Sequence, residues 1–530
     1  MLYLFTKLDL FNTQYEPEYY VLDEENRQAK SVGFNELNNK NNTIVTFDIF
    51  KLIEALRKNN IELDATIIDL SQMYKLVLER PSKESRYSNP TSIDKLLFHY
   101  KLKTKEEIEL YVKLINTQIN QISAEQMFAL LQSVRDLYLS LNDDLKKKLE
   151  HDRFYNIELP VSQILYKREL FGIKISPEKF ENRLGELDKI EYSCQHKLRY
   201  EYNVLDGKDN DYVRKALESE NLKFVSKNLN NNNIEHILKQ GSETNELLYL
   251  IYNYRRAKRD KSFLFRFGAI GNDRVFPTFD CIGTITSRIL IKSPLIQQLR
   301  KSSRDIFIPD NGKEFIYADF GQFEPGILAD KSQDLKLIEL YNSGDVYEGL
   351  SQHVFGTIEY RKIAKVLFLA YMYGMSIGSL SMIVEDLYPE QKNNISEKLN
   401  LFFNSFSGLI PYKEYLEKEL LSESRIGTSI GNYRKREFLG LKKLRNKEKR
   451  WLLSQKIQGT ASLILKQAIL QLDKYDSIDF LIPMHDAVLF QVPQNEIDKY
   501  TDIIRDAFCD SFKLECPSII PKVTFEPFDK

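Results

Sequence analysis

Three short segments carry residue types and spacings that fit chemistry. Tyr317-Ala318-Asp319-Phe320-Gly321-Gln322-Phe323-Glu324 ends a short apolar strand in a carboxylate. Met484-His485-Asp486-Ala487 sets a second carboxylate between two apolar arms, a pattern that reads as a hairpin with a polar tip. Between them, Tyr360–Tyr373 contains no Pro or Gly and reads as a helix. At about 100° per residue, Arg361, Lys365, Leu369 and Tyr373 form one slanted stripe on it. Cations at i and i+4 repel each other, so this pair calls for an anion, and a triphosphate is such an anion. Carboxylates at strand ends are rigid, hard ligands suited to Mg²⁺, and two ions ~4 Å apart stabilise both the attacking and the leaving oxygen of a displacement. Singly, either Asp reads as a turn former and the cations as a surface pair. Taken in this order, the three segments supply what template-directed nucleotidyl transfer requires.

The rest of the chain must position these groups. At 530 residues it is long enough for three or four domains with real cores. It is 42% hydrophobic and 28% charged with a net charge of −1, so nucleic-acid affinity must come from local patches. The four cysteines, Cys194, Cys281, Cys509 and Cys516, lack CxxC spacing and read as reduced thiols. Met1–Leu10 is short and interrupted by Lys7 and Asp9, so it reads as a buried first strand and not as a signal peptide or membrane span. A cytoplasmic location is expected. Thr43–Phe47 then Ile49–Lys58, and residues 64–78, repeat a strand-then-helix pattern, with loops at 36–43 and 80–92. Residues 153–282 read as mainly helical, broken at Gly207–Asp211 and at an Asn-rich loop, 228–233. Tyr252–Lys261 is a basic helix, and 434–450 holds nine Lys or Arg against two Glu, so it is a candidate track for phosphates.

On these residues the chain resembles family A DNA polymerases, the bacterial DNA polymerase I class, over most of residues 155–530. Asp319-Phe320-Gly321-Gln322-Phe323-Glu324 is similar to that family's Asp-Tyr-Ser-Gln-Ile-Glu. Arg361, Lys365, Tyr373 and Gly374 fall on its Arg-x3-Lys-x7-Tyr-Gly spacing, and His485-Asp486 on its His-Asp-Glu. Thr286-Ser287-Arg288 with Pro294 and Gln297, Gln458-Gly459-Thr460-Ala461, Glu158-Leu159-Pro160 through Gly172-Ile173, and Tyr254-Arg255 with Arg259 and Lys261 resemble further family segments in the right order.

The resemblance implies a multidomain α+β fold: a right-hand polymerase with an antiparallel-sheet palm and helical fingers and thumb. An α/β, ribonuclease H-like exonuclease domain precedes it. The implied boundaries are 1–152 for the exonuclease-like domain, 153–282 for the thumb and start of the palm, 283–340 for the palm, 341–449 for the fingers and 450–530 for the second part of the palm. It implies primer extension with dNTPs on primer–template DNA by a monomer that uses two Mg²⁺, with Mn²⁺ as a substitute. Asp319, Asp486 and the Phe320 carbonyl would hold the metals. Arg361 and Lys365 would hold the triphosphate, and Lys365 would protonate the leaving pyrophosphate. Gln322, Leu369, Tyr373 and Tyr347 would line the nucleotide site, and Glu324 would exclude ribonucleotides. Arg288, Gln297, Gln458, His485, Arg255, Arg259, Lys261, Arg434 and Arg450 would contact DNA. Accessory partners are not implied.

Several positions depart from the family. Leu369 stands where Phe or Tyr is usual, Tyr347 where a His is frequent, Gly326 where Arg is usual, Ala487 in place of the third acid, and Ser454 in place of Asn. The segment between Gln298 and Arg304 is short. In residues 1–152 the proofreading acids are missing. Phe5-Thr6-Lys7-Leu8-Asp9 lacks the first Asp-x-Glu, Leu52 falls on the second-motif Asp, and Leu130 and Val134 fall on the third motif. A retained fold without exonuclease chemistry is expected. Two alternatives are a phage-type single-subunit RNA polymerase, against which Glu324 argues, and an inactive scaffold for primed DNA, against which the intact acids and cations argue.

Overall fold

The computed structural model describes residues 1–9, 16–79, 93–116, 122–227, 229–230, 234–242, 245–267, 273–387 and 393–529. The expected loop at 80–92 lies outside the described residues, as does all of 228–233 except 229–230. The chain forms two compact units: Met1–Leu170 with Phe279–Leu290 and Ile316–Glu526, and Phe171–Thr278 with Ile291–Phe315 and Pro527–Lys530.

The first unit holds two larger sheets and, among the described residues, the two-stranded pair Arg425–Ile426 and Arg434–Lys435. Its N-terminal sheet runs in the order Gln28–Val32, Glu18–Asp23, Leu2–Lys7, Thr43–Thr46, Thr66–Asp69. The first three strands are antiparallel and the last two join in parallel. This is the strand order of a ribonuclease H-like fold, and Leu4, Ile44 and Ile67 form its core with Leu52 and Leu56 of the helix Ile49–Lys58. Part of the expected loop at 36–43 is instead a short helix, Phe34–Leu37, because Phe34 and Leu37 bury themselves in that core. A capping box between Ser123 and Gln126 starts the long helix Ala124–Lys147, which packs on the same sheet.

The second sheet has the order Asp479–Met484, Ala487–Pro493, Lys313–Phe320, Val523–Phe525. Alternation along its third strand buries Ile316, Ala318 and Phe320 and turns Tyr317 and Asp319 to the other face. The Phe320 ring stacks on Phe323 at 4.2 Å and on Phe508 at 4.6 Å, which fixes the strand's end against the helix Ile497–Glu515.

The same unit holds a buried ionic cluster. Both Glu158 and Lys466 are sealed from solvent, and their charged atoms meet at 2.6 Å. Arg153 Nε and Ser287 Oγ also donate to Glu158, at 2.7 and 2.8 Å, and Lys466 donates further to the Cys281 carbonyl at 2.9 Å. Burial alone would raise the Glu158 carboxyl, but Lys466 and then Arg153 outweigh it and hold the group at about 2.

In the second unit, helix Pro177–Tyr202 packs along helix Glu246–Phe265. The break lies at 203–209, not at the expected Gly207–Asp211, because Asp209 caps the helix Asn210–Ser219 and takes Asn210 and Asp211 into its first turn. A Cβ at Gly207 would meet the Tyr254 ring at 2.6 Å, so the chain can pass Tyr254 here only as glycine.

Glu158→Gln leaves Lys466 and Arg153 short of their counter-charge in the interior. Urea unfolding at pH 7 is expected to show a loss of about 3–5 kcal/mol. A carboxyl depressed by folding adds stability that is complete above its ordinary value of 4.5 and is lost as pH falls toward 2. The gap between wild type and variant should therefore narrow across that window, and an unchanged midpoint at pH 7 would contradict the assignment.

Candidate active site

The strand that carries Asp319 adjoins the hairpin that carries Asp486 at its tip. The Phe320 N–H donates to the Asp486 carbonyl at 3.2 Å, which joins the end of one strand to the tip of the hairpin. Met484 pairs with Ala487 across that tip, leaving a two-residue turn in which His485 takes a left-handed φ of 55°. This tight turn fixes the direction of Asp486. One of its oxygens, Oδ1, is sealed from solvent without a hydrogen-bond partner, although 36% of the side chain is exposed. Arg288 Nη2 stands 3.7 Å from it, beyond hydrogen-bond range. Burial pushes the Asp486 carboxyl up, while Arg288 and Lys365 act in the opposite sense.

A buried oxygen lacking a donor suits a cation. Asp486, Asp319 and the Phe320 carbonyl offer only hard oxygen donors, as Mg²⁺ prefers. Among the described residues no group of three or more His, Cys, Asp or Glu is arranged to hold a metal. The protein's share would be two carboxylates, with water and phosphate oxygens completing the coordination.

Gln322, at φ 53°, turns the chain from Phe320 into the helix Phe323–Ser332 and places Glu324 in its first turn. The Gln322 side chain accepts the Val346 N–H at 2.7 Å and ties this turn to the next helix, Val346–Phe355. Glu324 is held from both sides: Arg288 donates to Oε1 at 2.7 Å, and the Tyr373 hydroxyl donates to Oε2. Burial, and then the neighbouring Glu324 carboxylate, raise the Tyr373 hydroxyl, which also shares a hydrogen bond with Gln458.

The cationic helix runs Arg361–Met372 after a 3₁₀ turn, Ile358–Tyr360. Ile363, Ala364, Leu367 and Phe368 bury one face. Arg361, Lys365, Leu369 and Tyr373 lie outside that buried set, as the stripe predicts. The buried Tyr347 ring lies under both cations, 5.5 Å from the Arg361 guanidinium and 5.8 Å from Lys365 Nζ. Burial raises its hydroxyl, as do the nearby carboxylates of Glu324, Asp345 and Asp486. Tyr347 therefore bridges the cationic helix and the acids.

Sequence reasoning missed Asp345. Its Oδ1 caps the helix Val346–Phe355 by accepting the N–H groups of Tyr347 and Glu348, and its Oδ2 accepts from Arg361 at 2.6 and 3.1 Å. An Asp just ahead of an apolar helix start was a legible cap, but nothing local pointed to Arg361.

The remaining predicted residues are placed less uniformly. Arg450 lies beside Gly374 and lines a pocket there with Lys413 and Lys449. Arg434 is buried, with its guanidinium 4.0 Å from the Trp451 ring centre, and Arg436 is buried against Glu448. Lys447 and Lys449 pair with Glu437 and Glu417. Arg434 and Arg436 are thus taken out of the 434–450 charge run, whereas Lys442, Lys443, Arg445, Lys447, Lys449 and Arg450 are exposed. Gln297, Arg255, Arg259 and Lys261 belong to the second unit. There, Gln297 accepts the Ile291 N–H, Arg255 donates to Gly207 and Asn210, Arg259 pairs with Glu235, and Lys261 pairs with Asp188 and Glu191.

A model of DNA polymerase family A matches residues 204–523, more than half of the chain. The chain belongs to DNA polymerase family A. It is 24% identical to DNA polymerase I of Caldicellulosiruptor bescii over 81% of this chain and 52% of that protein. It is also 24% identical to DNA polymerase I of Borreliella burgdorferi, over 80% of this chain and 49% of the other. The chain thus spans about half the length of these relatives. Among solved structures, the POL domain of Pol1 from M. smegmatis, in complex with DNA primer-template and dNTP, matches with a TM-score of 0.72 at 18% identity. The match covers 97% of this chain and 94% of that one, so this family A chain has the polymerase-domain fold.

One departure from the family has a steric cause. A Cβ on Gly326 would lie 2.9 Å from the Tyr341 ring and 3.0 Å from Phe512, so the position has no room for a side chain. Gly326→Ala is expected to lower stability by about 1–3 kcal/mol through overpacking, read as a drop in melting temperature. An unchanged melting temperature would contradict this packing.

Proposed function

We propose that this chain extends a primer 3′ end with dNTPs on a DNA template, without proofreading. The observation that carries this reading is the pairing of Asp319 and Asp486 through the Phe320–Asp486 backbone bond, beside the Arg361 and Lys365 stripe. Asp319 and Asp486 would hold two Mg²⁺, which supply Lewis-acid stabilisation of the attacking and leaving oxygens. Arg361 and Lys365 bind the triphosphate, and Lys365, which is exposed, gives a proton to the departing pyrophosphate. Glu324, clamped by Arg288 and Tyr373, is a fixed wall against a sugar 2′-hydroxyl and favours dNTPs over the rNTPs of an RNA polymerase. Gln458, His485 and Arg450 contact primer–template DNA from the first unit, and Gln297, Arg255, Arg259 and Lys261 from the second.

The domain reading assigns 153–282 to the thumb and start of the palm, 283–340 and 450–530 to the palm, and 341–449 to the fingers. Residues 1–152 form an exonuclease-like domain without its metal acids. Support for the lost chemistry comes from Leu52, Leu130 and Val134, all fully buried aliphatics at the positions matched to the missing acids. The enzyme acts as a monomer.

Purified protein with primed template, Mg²⁺ and dNTPs is expected to extend the primer. Asp486→Ala should reduce extension by at least 10³-fold, in line with the size of electrostatic contributions to catalysis, and leave primer–template binding nearly unchanged. Failure of the wild type on every primed template would refute the enzyme reading and favour the scaffold. Glu324→Ala should raise rNTP incorporation relative to dNTP, and wild type that already prefers rNTPs would overturn the gate. Mg²⁺-dependent 3′→5′ degradation of single strands by an Asp319→Ala/Asp486→Ala variant would overturn the loss of proofreading.

A further inference from the structure

The helix Pro177–Tyr202 has two contrasting faces. Phe180, Leu187, Cys194 and Leu198 are buried, the last two in one core with Leu247, Leu250 and Ile251. About 180° around the helix, Lys189, Tyr192, His196, Arg199 and Tyr200 fall within a sector of about 100°. All five are exposed. Tyr192 is 74% and Tyr200 72% exposed, an unusual cost for two large rings on one surface. The rings form a ladder: Tyr192 to His196 at 6.1 Å between centroids, tilted by 37°, then His196 to Tyr200 at 4.5 Å. No carboxylate pairs with Lys189 or Arg199 among the described residues, and the adjacent acids Asp188 and Glu191 are both engaged by Lys261.

We infer that this stripe is a stacking platform for single-stranded nucleic acid, separate from the candidate active site. Ring faces at i, i+4 and i+8, with Lys189 ahead of Tyr192 and Arg199 between His196 and Tyr200, run along about 16 Å of helix, close to the length of five stacked nucleotides. Three rings flanked by two cations suit a single strand, in which the faces of the bases are free to stack and the phosphates stay within reach of the cations. A duplex has its bases already stacked and would offer the rings little. The 6.1 Å gap between Tyr192 and His196 is within a small side-chain rotation of the ~6.8 Å that holds one intercalated base at ~3.4 Å to each side. The stripe faces away from the helix Glu246–Phe265, which carries the basic residues assigned to primer–template contact, so it offers a second foothold for an unpaired strand.

The test uses the full chain with its primer–template site saturated by a dideoxy-terminated hairpin and the next dNTP. Binding of a fluorescein-labelled 15-nucleotide oligo-dT is then read by anisotropy. Wild type is expected to bind it, and Tyr192→Ala/Tyr200→Ala to weaken binding at least tenfold. Tyr192→Phe/Tyr200→Phe should retain wild-type affinity, because stacking needs the ring and not the hydroxyl. Lys189→Ala/Arg199→Ala should weaken binding and lower the slope of log affinity against log salt by about 1.4. Oligo-dT binding that the alanine pair leaves unchanged, or that the phenylalanine pair loses equally, would overturn the proposal. So would sensitivity of polyglutamate but not oligo-dT binding to the alanine pair, which would assign the stripe to an acidic polypeptide. Primer extension, measured separately on the same preparations, should be the same in all variants. Loss of extension in wild type would count against the polymerase reading alone.

Discussion

The Glu158 carboxylate is the constraint on which the first unit depends. It gathers three segments far apart in sequence: the helical stretch Arg153–Glu158, the stretch Cys281–Ser287 and the helix carrying Ser462 and Lys466. Ser462 closes the arrangement by donating to the Ser287 carbonyl at 2.5 Å. Ser287, buried and at a φ of 63°, is held in a conformation that L-residues adopt only when their surroundings insist on it. The next residue, Arg288, then reaches Glu324 and faces Asp486. A buried charge thereby aims a half-buried one. A carboxylate with this many donors in the interior tolerates no loss of a partner, so the position of Arg288 is rigid.

The N-terminal residues belong to the same compact unit as Asp319 and Asp486, and their contacts tie them to its C-terminal part. Glu150 accepts the N–H groups of Asn432 and Tyr433 at 2.8 and 2.7 Å, and Arg153 donates to the Ile430 carbonyl. Gly431 lies so close that a Cβ there would meet Glu150 Oε2 at 2.3 Å. Glu79 pairs with Arg425, and Lys75 with Asp280 at 2.5 Å. These bonds support the hairpin formed by Arg425–Ile426 and Arg434–Lys435, and also the strand Thr278–Asp280. Such support depends on the backbone and a few salt links, and not on catalytic acids.

Elements with a local signal were legible in the sequence. The strand ending at Phe320, the Arg361–Met372 helix and the 479–493 hairpin each followed from hydrophobic period and turn residues, and the left-handed His485 sits where a two-residue turn needs it. Pairings without a local signal were not legible. Asp345 meets Arg361 across 16 residues, Arg288 meets Glu324 across 36, and Lys466 meets Glu158 across 308. Composition was right for part of 434–450, where Lys442, Lys443, Arg445, Lys447, Lys449 and Arg450 are exposed. Nine cations suggested a solvated track, yet Arg434 and Arg436 are buried by Trp451 and Glu448, because tertiary neighbours decide which face of a charged run meets water.

The central claim is that Asp319 and Asp486 share a metal-binding site. Fe²⁺ in place of Mg²⁺, with peroxide and ascorbate, cleaves a polypeptide backbone beside the bound ion and tests this without requiring catalysis. With dNTP present, cuts are expected both at the end of the strand near Phe320 and at the hairpin tip near His485, with both suppressed in Asp486→Asn. Cuts at only one of these places, or a pattern that Asp486→Asn leaves unchanged, would contradict a shared site.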